Sequence, residues 1–362
     1  MRLSRIRNFI IKERIYVWLL IFIISVSIAL GLTKEKKPEL SVEENVGPKE
    51  KISSGTGKFS NKILTESLTK EDLRKIIEGN KNLAVILTFL SFGIVLAIAI
   101  GLFVDFIILI LIREGGVLLF PTLFHKEPRW NTWDVCKIAI LFVWFSYVLM
   151  FIESDLAGIF PILKTDENLR SVVNATIMDT LVFVLMIYFV VYEYKEKITS
   201  LGLSFKNFLR NVGYGITGYL AVIPSLILLL LFIIWASTIF RYKPPMQPVM
   251  EIFFEEKKRG LIMYFTIFVA IFGPIVEEMF FRGFMYQAVK KRWGFKTALF
   301  STSIVFSFLH TNLAGFLPIM VLGMLLAYLF EKTGTLIASC AVHILHNSAM
   351  VCFVFLIKGL LR

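Results

Sequence analysis

The chain has little of what a soluble, disulfide-stapled or metal-organised protein needs. Only 18% of its residues are charged, against 57% hydrophobic, which excludes a water-soluble globule of 362 residues. Cysteine is scarce. Cys136, Cys340 and Cys352 contain no CxxC pair and read as packing residues rather than a disulfide or zinc framework. Histidine occurs four times. No serine stands in a GxSxG setting and no HExxH pair is present, so two common hydrolase signatures are missing. No internal repeat is evident. Acidic charge is short as well: 27 Asp and Glu face 39 Lys and Arg, a net charge of +12. In a soluble protein that excess would suggest nucleic acid. Here the loops between apolar runs account for it, since Lys and Arg retain inner loops and meet anionic headgroups. No nucleic-acid partner is expected.

What the sequence has in quantity is apolar runs near twenty residues long, the mark of an all-α polytopic membrane protein. A basic start, Met1 to Arg14, precedes the run Ile15–Leu32. That run ends without a small-residue cleavage site, so it reads as an uncleaved anchor with its N-terminus inside. Residues 33–82 mix eleven Lys and Arg with nine Asp and Glu and form the one long polar loop, with a helix start signal at Thr69-Lys70-Glu71-Asp72. Further spans are expected near Leu83–Ile112, Ile138–Ile152, Ser171–Tyr192, Val212–Phe240, Leu261–Val289, Lys296–His310, Phe316–Phe330 and Thr335–Ile357. The total is about nine. The expected division is an anchor region (1–32), the polar loop (33–82), N-terminal spans (83–192) and a C-terminal helix bundle (193–362). His125, Trp130 and Trp133 lie in the loop after the second span, where the tryptophans suit an interfacial belt.

The sixth span carries Glu277, Glu278 and Arg282 inside an apolar run. A charge at the bilayer centre costs about 2.5–3.5 kcal/mol on insertion scales, so such groups mark function by default. On a helix Glu278 and Arg282 are four apart and can pair on one face, while Glu277 is turned about 100° away and can face a polar cavity. His310 and His343 fall at similar depth when helical rise is counted from the inner loops, and Asn347 is one turn beyond His343 on the same face. A carboxylate and a histidine can activate water, and a histidine and an asparagine four apart can offer two N–H donors to an oxyanion. The set reads as hydrolysis of an amide or ester inside the membrane.

Three blocks, Glu277-Glu278-x-x-x-Arg282, Phe306-x-x-x-His310 and His343-x-x-x-Asn347, resemble the motifs of the CPBP family (CAAX proteases and bacteriocin-processing enzymes, also called ABI proteins), which includes the Rce1-type prenyl-protein endopeptidases. Phe281-Arg282-Gly283, Gly323 and Thr333-Gly334-Thr335 extend the resemblance, which covers about 270–350. It implies a glutamate-dependent intramembrane endopeptidase without a metal or other cofactor. Glu277 and His310 would activate water, His343 and Asn347 would form an oxyanion hole, and Glu278 and Arg282 would support them. The implied substrate is a membrane-associated or lipid-modified, CAAX-like protein or peptide, and the implied location is an integral, multi-pass one, in the plasma membrane if the source is prokaryotic.

Other readings compete. The charged trio taken alone could be a structural salt bridge in a helix bundle. His310, His343 and a glutamate could hold zinc, although an i,i+4 His/Asn pair is a poor chelate. Asp105 and Asp179 could form an aspartyl dyad but lack a GxGD context; pairing with polar neighbours such as Asn174 is the simpler expectation. His346 reads as a satisfied packing residue. A polar cavity of this kind also suits a non-catalytic binding or immunity protein, or a proton-coupled transporter with helices broken at Gly273-Pro274.

Overall fold

A computed structural model describes residues 11–35, 81–113, 127–159, 162, 166–242, 247–310 and 313–360. Among these every regular element is helical. The expected helix start near Thr69 and the placing of His125 lie outside the described residues. The helices are α1 (Arg14–Glu35), α2 (Lys81–Arg113), α3 (Thr132–Ile159), α4 (Glu167–Ile187), α5 (Phe208–Ile239), α6 (Pro248–Glu255), α7 (Arg259–Ile267), α8 (Gly273–Glu278), α9 (Gln287–Leu309), α10 (Leu313–Thr333) and α11 (Leu336–Leu360). Three π-helical turns join them: Tyr188–Glu193 after α4, Phe268–Phe272 between α7 and α8, and Met279–Tyr286 between α8 and α9.

Among the described residues seven helical segments are long and apolar enough to cross a membrane, and Arg14–Ile28 is a shorter apolar helix. One of the seven, Arg259–Leu309, is too long for a single crossing at 51 residues. Gly294 divides it, with φ 82° and ψ 174° inside α9. On a straight helix Phe281 and Phe306 would stand about 37 Å apart. Their ring centroids are 5.0 Å apart, so the chain folds back at Gly294. Counted this way the crossings approach the nine expected. The reversal needs a positive φ that glycine adopts without strain.

The described residues of Met1–Leu68 and Cys136–Met178 form one compact unit, and those of Thr69–Val135 and Asp179–Leu360 a second. In the first, Lys137 pairs with Glu13 at 3.3 Å, and the hydroxyls of Ser27 and Tyr147 share a 2.7 Å hydrogen bond. Hydroxyls within the apolar helices bond back to their own helix, as Ser25 does to the Ile21 carbonyl and Thr88 to that of Ala84, because lipid offers no partner.

The second unit holds the core. Leu322, Leu326 and Leu329 of α10 meet Ala338 and Val342 of α11, with Tyr214 and Tyr219 of α5 packed against them. A Cβ on Gly215 would lie 2.7 Å from the Ala338 carbonyl oxygen, so this glycine lets α5 and α11 approach closely. Trp130 is not interfacial as expected. It is fully buried, stacked on Phe284 at 5.3 Å, and its indole N–H donates to the Phe284 carbonyl at 2.9 Å. Burying an indole requires such a partner.

The short 3-10 helix Ile198–Leu201 and the residues after it, to 204, are tied to the helix ends around them. The Leu336 N–H donates to the Gly202 carbonyl at 2.9 Å, Thr335 Oγ1 to that of Ser204 at 2.9 Å, and Gln287 Nε2 to that of Ser200 at 3.0 Å. Gly283 faces this segment, and a Cβ there would stand 2.8 Å from the Leu201 carbonyl oxygen. Gly283→Ala is therefore expected to lose about 1–3 kcal/mol through overpacking. Thermal melting in detergent should show this, with Gly213→Ala, whose Cβ would meet nothing within 4 Å, as the unaffected control.

Candidate active site

The site begins with a helix that changes register twice. α8 is six residues long and lies between two π-helical turns. π insertions concentrate at functional sites because they re-aim side chains and release carbonyls from the usual ladder. In the first π turn the Gly273 N–H bonds to the Phe268 carbonyl, five residues back. The next bond in that register would run from residue 274 to Val269, but Pro274 has no N–H. Asn347 supplies the missing donor, with Nδ2 2.9 Å from the Val269 carbonyl oxygen. Gly273-Pro274 thus interrupts the α register and leaves the chain helical, with φ −53° and ψ −56° at Gly273. This is not the broken helix that a transporter reading anticipates.

Glu278 and Arg282 pair as their spacing predicts, Oε1 to Nη1 at 2.8 Å, with side chains 0% and 1% exposed. Arg282 also lies over the Phe306 ring at 4.4 Å and directs Nη2 towards the Gly323 carbonyl at 3.3 Å. Gly323 lets α10 lie close to α9: a Cβ there would be 3.2 Å from Ser303 Cβ and 3.3 Å from Phe306 Cδ1. Glu278 Oε1 has a second partner that sequence spacing does not reveal, His343 Nδ1 at 2.8 Å. The carboxylate accepts the Nδ1–H, which fixes the ring orientation and leaves Nε2 facing the other way.

Glu277 points where the 100° rotation puts it, away from the ion pair, with its side chain 31% exposed. His343 Nε2 stands 3.8 Å from Glu277 Oε2, and His310 Nε2 stands 3.9 Å from the same oxygen. His310 ends α9, and its Nδ1 is 2.8 Å from the Phe306 carbonyl oxygen. That contact makes Nδ1 the donor and again leaves Nε2 for the site. Two imidazoles, each anchored at Nδ1, therefore converge through Nε2 on one carboxylate oxygen. Glu277 Oε2 is itself buried and has no hydrogen-bond partner among the described residues.

All six residues singled out in the sequence meet here: Glu277, Glu278 and Arg282 from α8 and the following π turn, His310 from the end of α9, and His343 and Asn347 from α11. His346 faces elsewhere, its Nδ1 2.9 Å from the Tyr219 hydroxyl, as a satisfied packing residue should. Two features were missed. The Glu278–His343 bond joins segments that no sequence spacing relates. The Asn347–Val269 bond had a signal, since a proline inside a helix leaves a carbonyl in want of a donor. Among the described residues no group of three or more His, Cys, Asp or Glu is arranged to hold a metal ion.

No curated protein and no solved structure matches the chain. A family described as Type II CAAX prenyl endopeptidase Rce1-like does match, over residues 259–349, the stretch that runs from α7 into α11 and contains all six residues. Those residues belong to the Rce1-like family of CAAX proteases, and they are carried by an integral, multi-pass membrane protein.

Proposed function

We propose that the protein is an intramembrane endopeptidase in which Glu277 activates water and a lipid-modified, CAAX-like peptide is the substrate. The observation that carries this reading is the pair of gaps at Glu277 Oε2, 3.9 Å to His310 Nε2 and 3.8 Å to His343 Nε2. Polar groups held that far apart are spaced for a water between them rather than for direct bonds. A water beside Glu277 and His310 would lose a proton to the pair as its oxygen bonds to the scissile carbonyl carbon. The carbonyl oxygen becomes an oxyanion. The proton then passes to the leaving nitrogen as the C–N bond breaks, giving a carboxylic acid and an amine.

The oxyanion needs donors. Asn347 uses one N–H on Val269 and keeps its second. His343 has its Nδ1–H on Glu278, so it can donate only with a proton on Nε2 as well. With Glu277 and Glu278 negative and Arg282 positive, such an imidazolium brings this group of four to zero net charge, the least costly sum inside a bilayer. Glu278 acts here through His343, holding the ring by its Nδ1–H.

The family match and the membrane setting support this substrate class. A C-terminal peptide carrying a prenyl group is held at the bilayer by that group, which delivers the peptide bond to a buried site. The proposed location is the plasma membrane if the source is prokaryotic. The test is a panel of matched peptides, prenylated and plain, given to the purified protein in detergent, with products identified by mass spectrometry. A single cut near the modified residue, favoured by prenylation, is expected. A folded protein that cuts no member of the panel would favour a binding or immunity role.

Asn347→Ala should lower kcat by about 10²–10³-fold if its free N–H meets the oxyanion. Single-turnover rates measure this. The variant should also melt earlier, because the Val269 carbonyl loses its donor.

A further inference from the structure

Both imidazoles of the site rest against one apolar ring. Phe306 lies on α9, one helical turn before His310, and its ring centroid is 4.6 Å from that of His310 and 5.7 Å from that of His343. The ring planes cross at 54° and 81°. The carbonyl of the same residue accepts the His310 Nδ1–H at 2.8 Å. His310 is thus set by Phe306 twice, at its ring and at Nδ1. His343 is set by Glu278 at Nδ1 and by Phe306 at its ring. Glu277 Oε2 lies 3.9 Å from one Nε2 and 3.8 Å from the other, so the spacing of the two imidazoles helps to define where a water can sit.

The phenyl ring is itself closely held. It is 1% exposed. Phe281 meets it at 5.0 Å with the planes at 82°, and the Arg282 guanidinium lies over it at 4.4 Å. Arg282 Nε has no hydrogen-bond partner among the described residues, so the ring is one of the contacts that steady this cation. A Cβ on Gly323 would stand only 3.3 Å from Phe306 Cδ1, so α10 packs against the ring as well. The π turn, α9, α10 and α11 therefore meet at this one side chain. A phenyl ring turns about only two side-chain torsions. It carries no polar atom, so neither Nε2 finds a hydrogen-bond partner on it, and both remain for the site. Packing alone asks for an apolar side chain of this size. Holding two imidazoles at fixed angles asks for a flat and rigid one.

We propose that Phe306 is a positioning residue for the cleavage reaction: its ring is the spacer that holds His310 and His343 at the separation from which both Nε2 atoms face Glu277. The proposal rests on the reading of Glu277 and His310 as the pair that activates water. Phe306 is buried behind the imidazoles and takes no part in binding the peptide.

The experiment measures kcat and KM for a prenylated peptide, beside a melting curve, on the full chain in detergent as wild type, Phe306→Met, Phe306→Tyr and His310→Ala. Methionine fills apolar space with a flexible chain in place of a flat ring. Phe306→Met is expected to lower kcat about 10²-fold, the cost of a misplacement near ~1 Å, and to keep KM within about 2-fold of wild type. Phe306→Tyr keeps the ring and is expected to retain most of kcat. A folded Phe306→Met whose kcat matches wild type overturns the proposal whatever its melting temperature, because the ring would then supply packing alone. A loss that falls on KM alone also overturns it, since Phe306 would then be a substrate contact. So does a Phe306→Tyr variant that melts normally and is as slow as Phe306→Met. Should Phe306→Met not fold, Phe306→Leu takes its place, and should Phe306→Tyr not fold, the split between kcat and KM decides alone. Carbon-13 relaxation of labelled histidine rings gives a readout without turnover. The His310 and His343 rings are expected to gain motion in Phe306→Met, and the His346 ring, held by the Tyr219 hydroxyl, is not. His310 and His343 rings as rigid as in wild type would contradict the proposal. Cleavage retained by His310→Ala would instead remove the reading of the site, a failure distinct from that of the proposal.

Discussion

Glu277→Gln is expected to lower kcat/KM by about 10²–10⁴-fold, the range attributed to general acid–base catalysis, while the protein stays folded. Glutamine keeps the shape of glutamate but cannot take a proton from water. The fold should tolerate the change because Glu277 is half-buried and its Oε2 bonds to nothing among the described residues. The neighbouring Glu278–Arg282 pair is untouched. Peptide cleavage under single-turnover conditions, run beside a melting curve in the same detergent, separates lost chemistry from lost structure. A loss of similar size in a variant that melts normally is the signature of the base. A variant that is inactive because it has unfolded would say nothing about Glu277, so the melting curve belongs to the prediction.

Arg282→Ala has a different signature, a large loss of stability. It leaves Glu278, whose side chain is 0% exposed, without its guanidinium and with only the His343 Nδ1–H as a partner. Breaking a buried pair in this way costs about 3–5 kcal/mol, far more than the pair contributes when intact. Thermal melting in detergent should show a marked fall. The double variant Glu278→Gln/Arg282→Met removes both charges and should recover much of the stability. It should not recover cleavage, because His343 Nδ1 loses the carboxylate 2.8 Å away that holds its ring. Stability regained without activity would distinguish an orienting role for Glu278 from a purely structural one.

How far the sequence reaches can be read from particular residues. The apolar runs give the spans because lipid admits little but helices. The reversal at Gly294 falls in the gap between the expected spans Leu261–Val289 and Lys296–His310. Glu278 and Arg282 pair as an i,i+4 spacing dictates, and Glu277 turns away from them as a 100° step requires. The convergence of His310 and His343 on Glu277 came from counting depth along three helices. Contacts between distant segments were not legible in that way. Trp130 looks interfacial by composition, yet it stacks on Phe284 in the core. The bond from His343 to Glu278 depends on how the helices rotate about their axes, and a membrane helix that is apolar nearly all round leaves that rotation undetermined, since lipid and core are both apolar. The double change of register around α8 has no local signature beyond Pro274.

The central claim is that Glu277, not a metal ion, activates the water that cuts a lipid-modified peptide. The measurement that tests it most directly is cleavage of a prenylated peptide by the purified protein with and without a strong chelator, beside Glu277→Gln under the same conditions. Equal rates with and without chelator, together with loss in Glu277→Gln, are the predicted result. Cleavage abolished by the chelator and restored by zinc, or undiminished in Glu277→Gln, would contradict it.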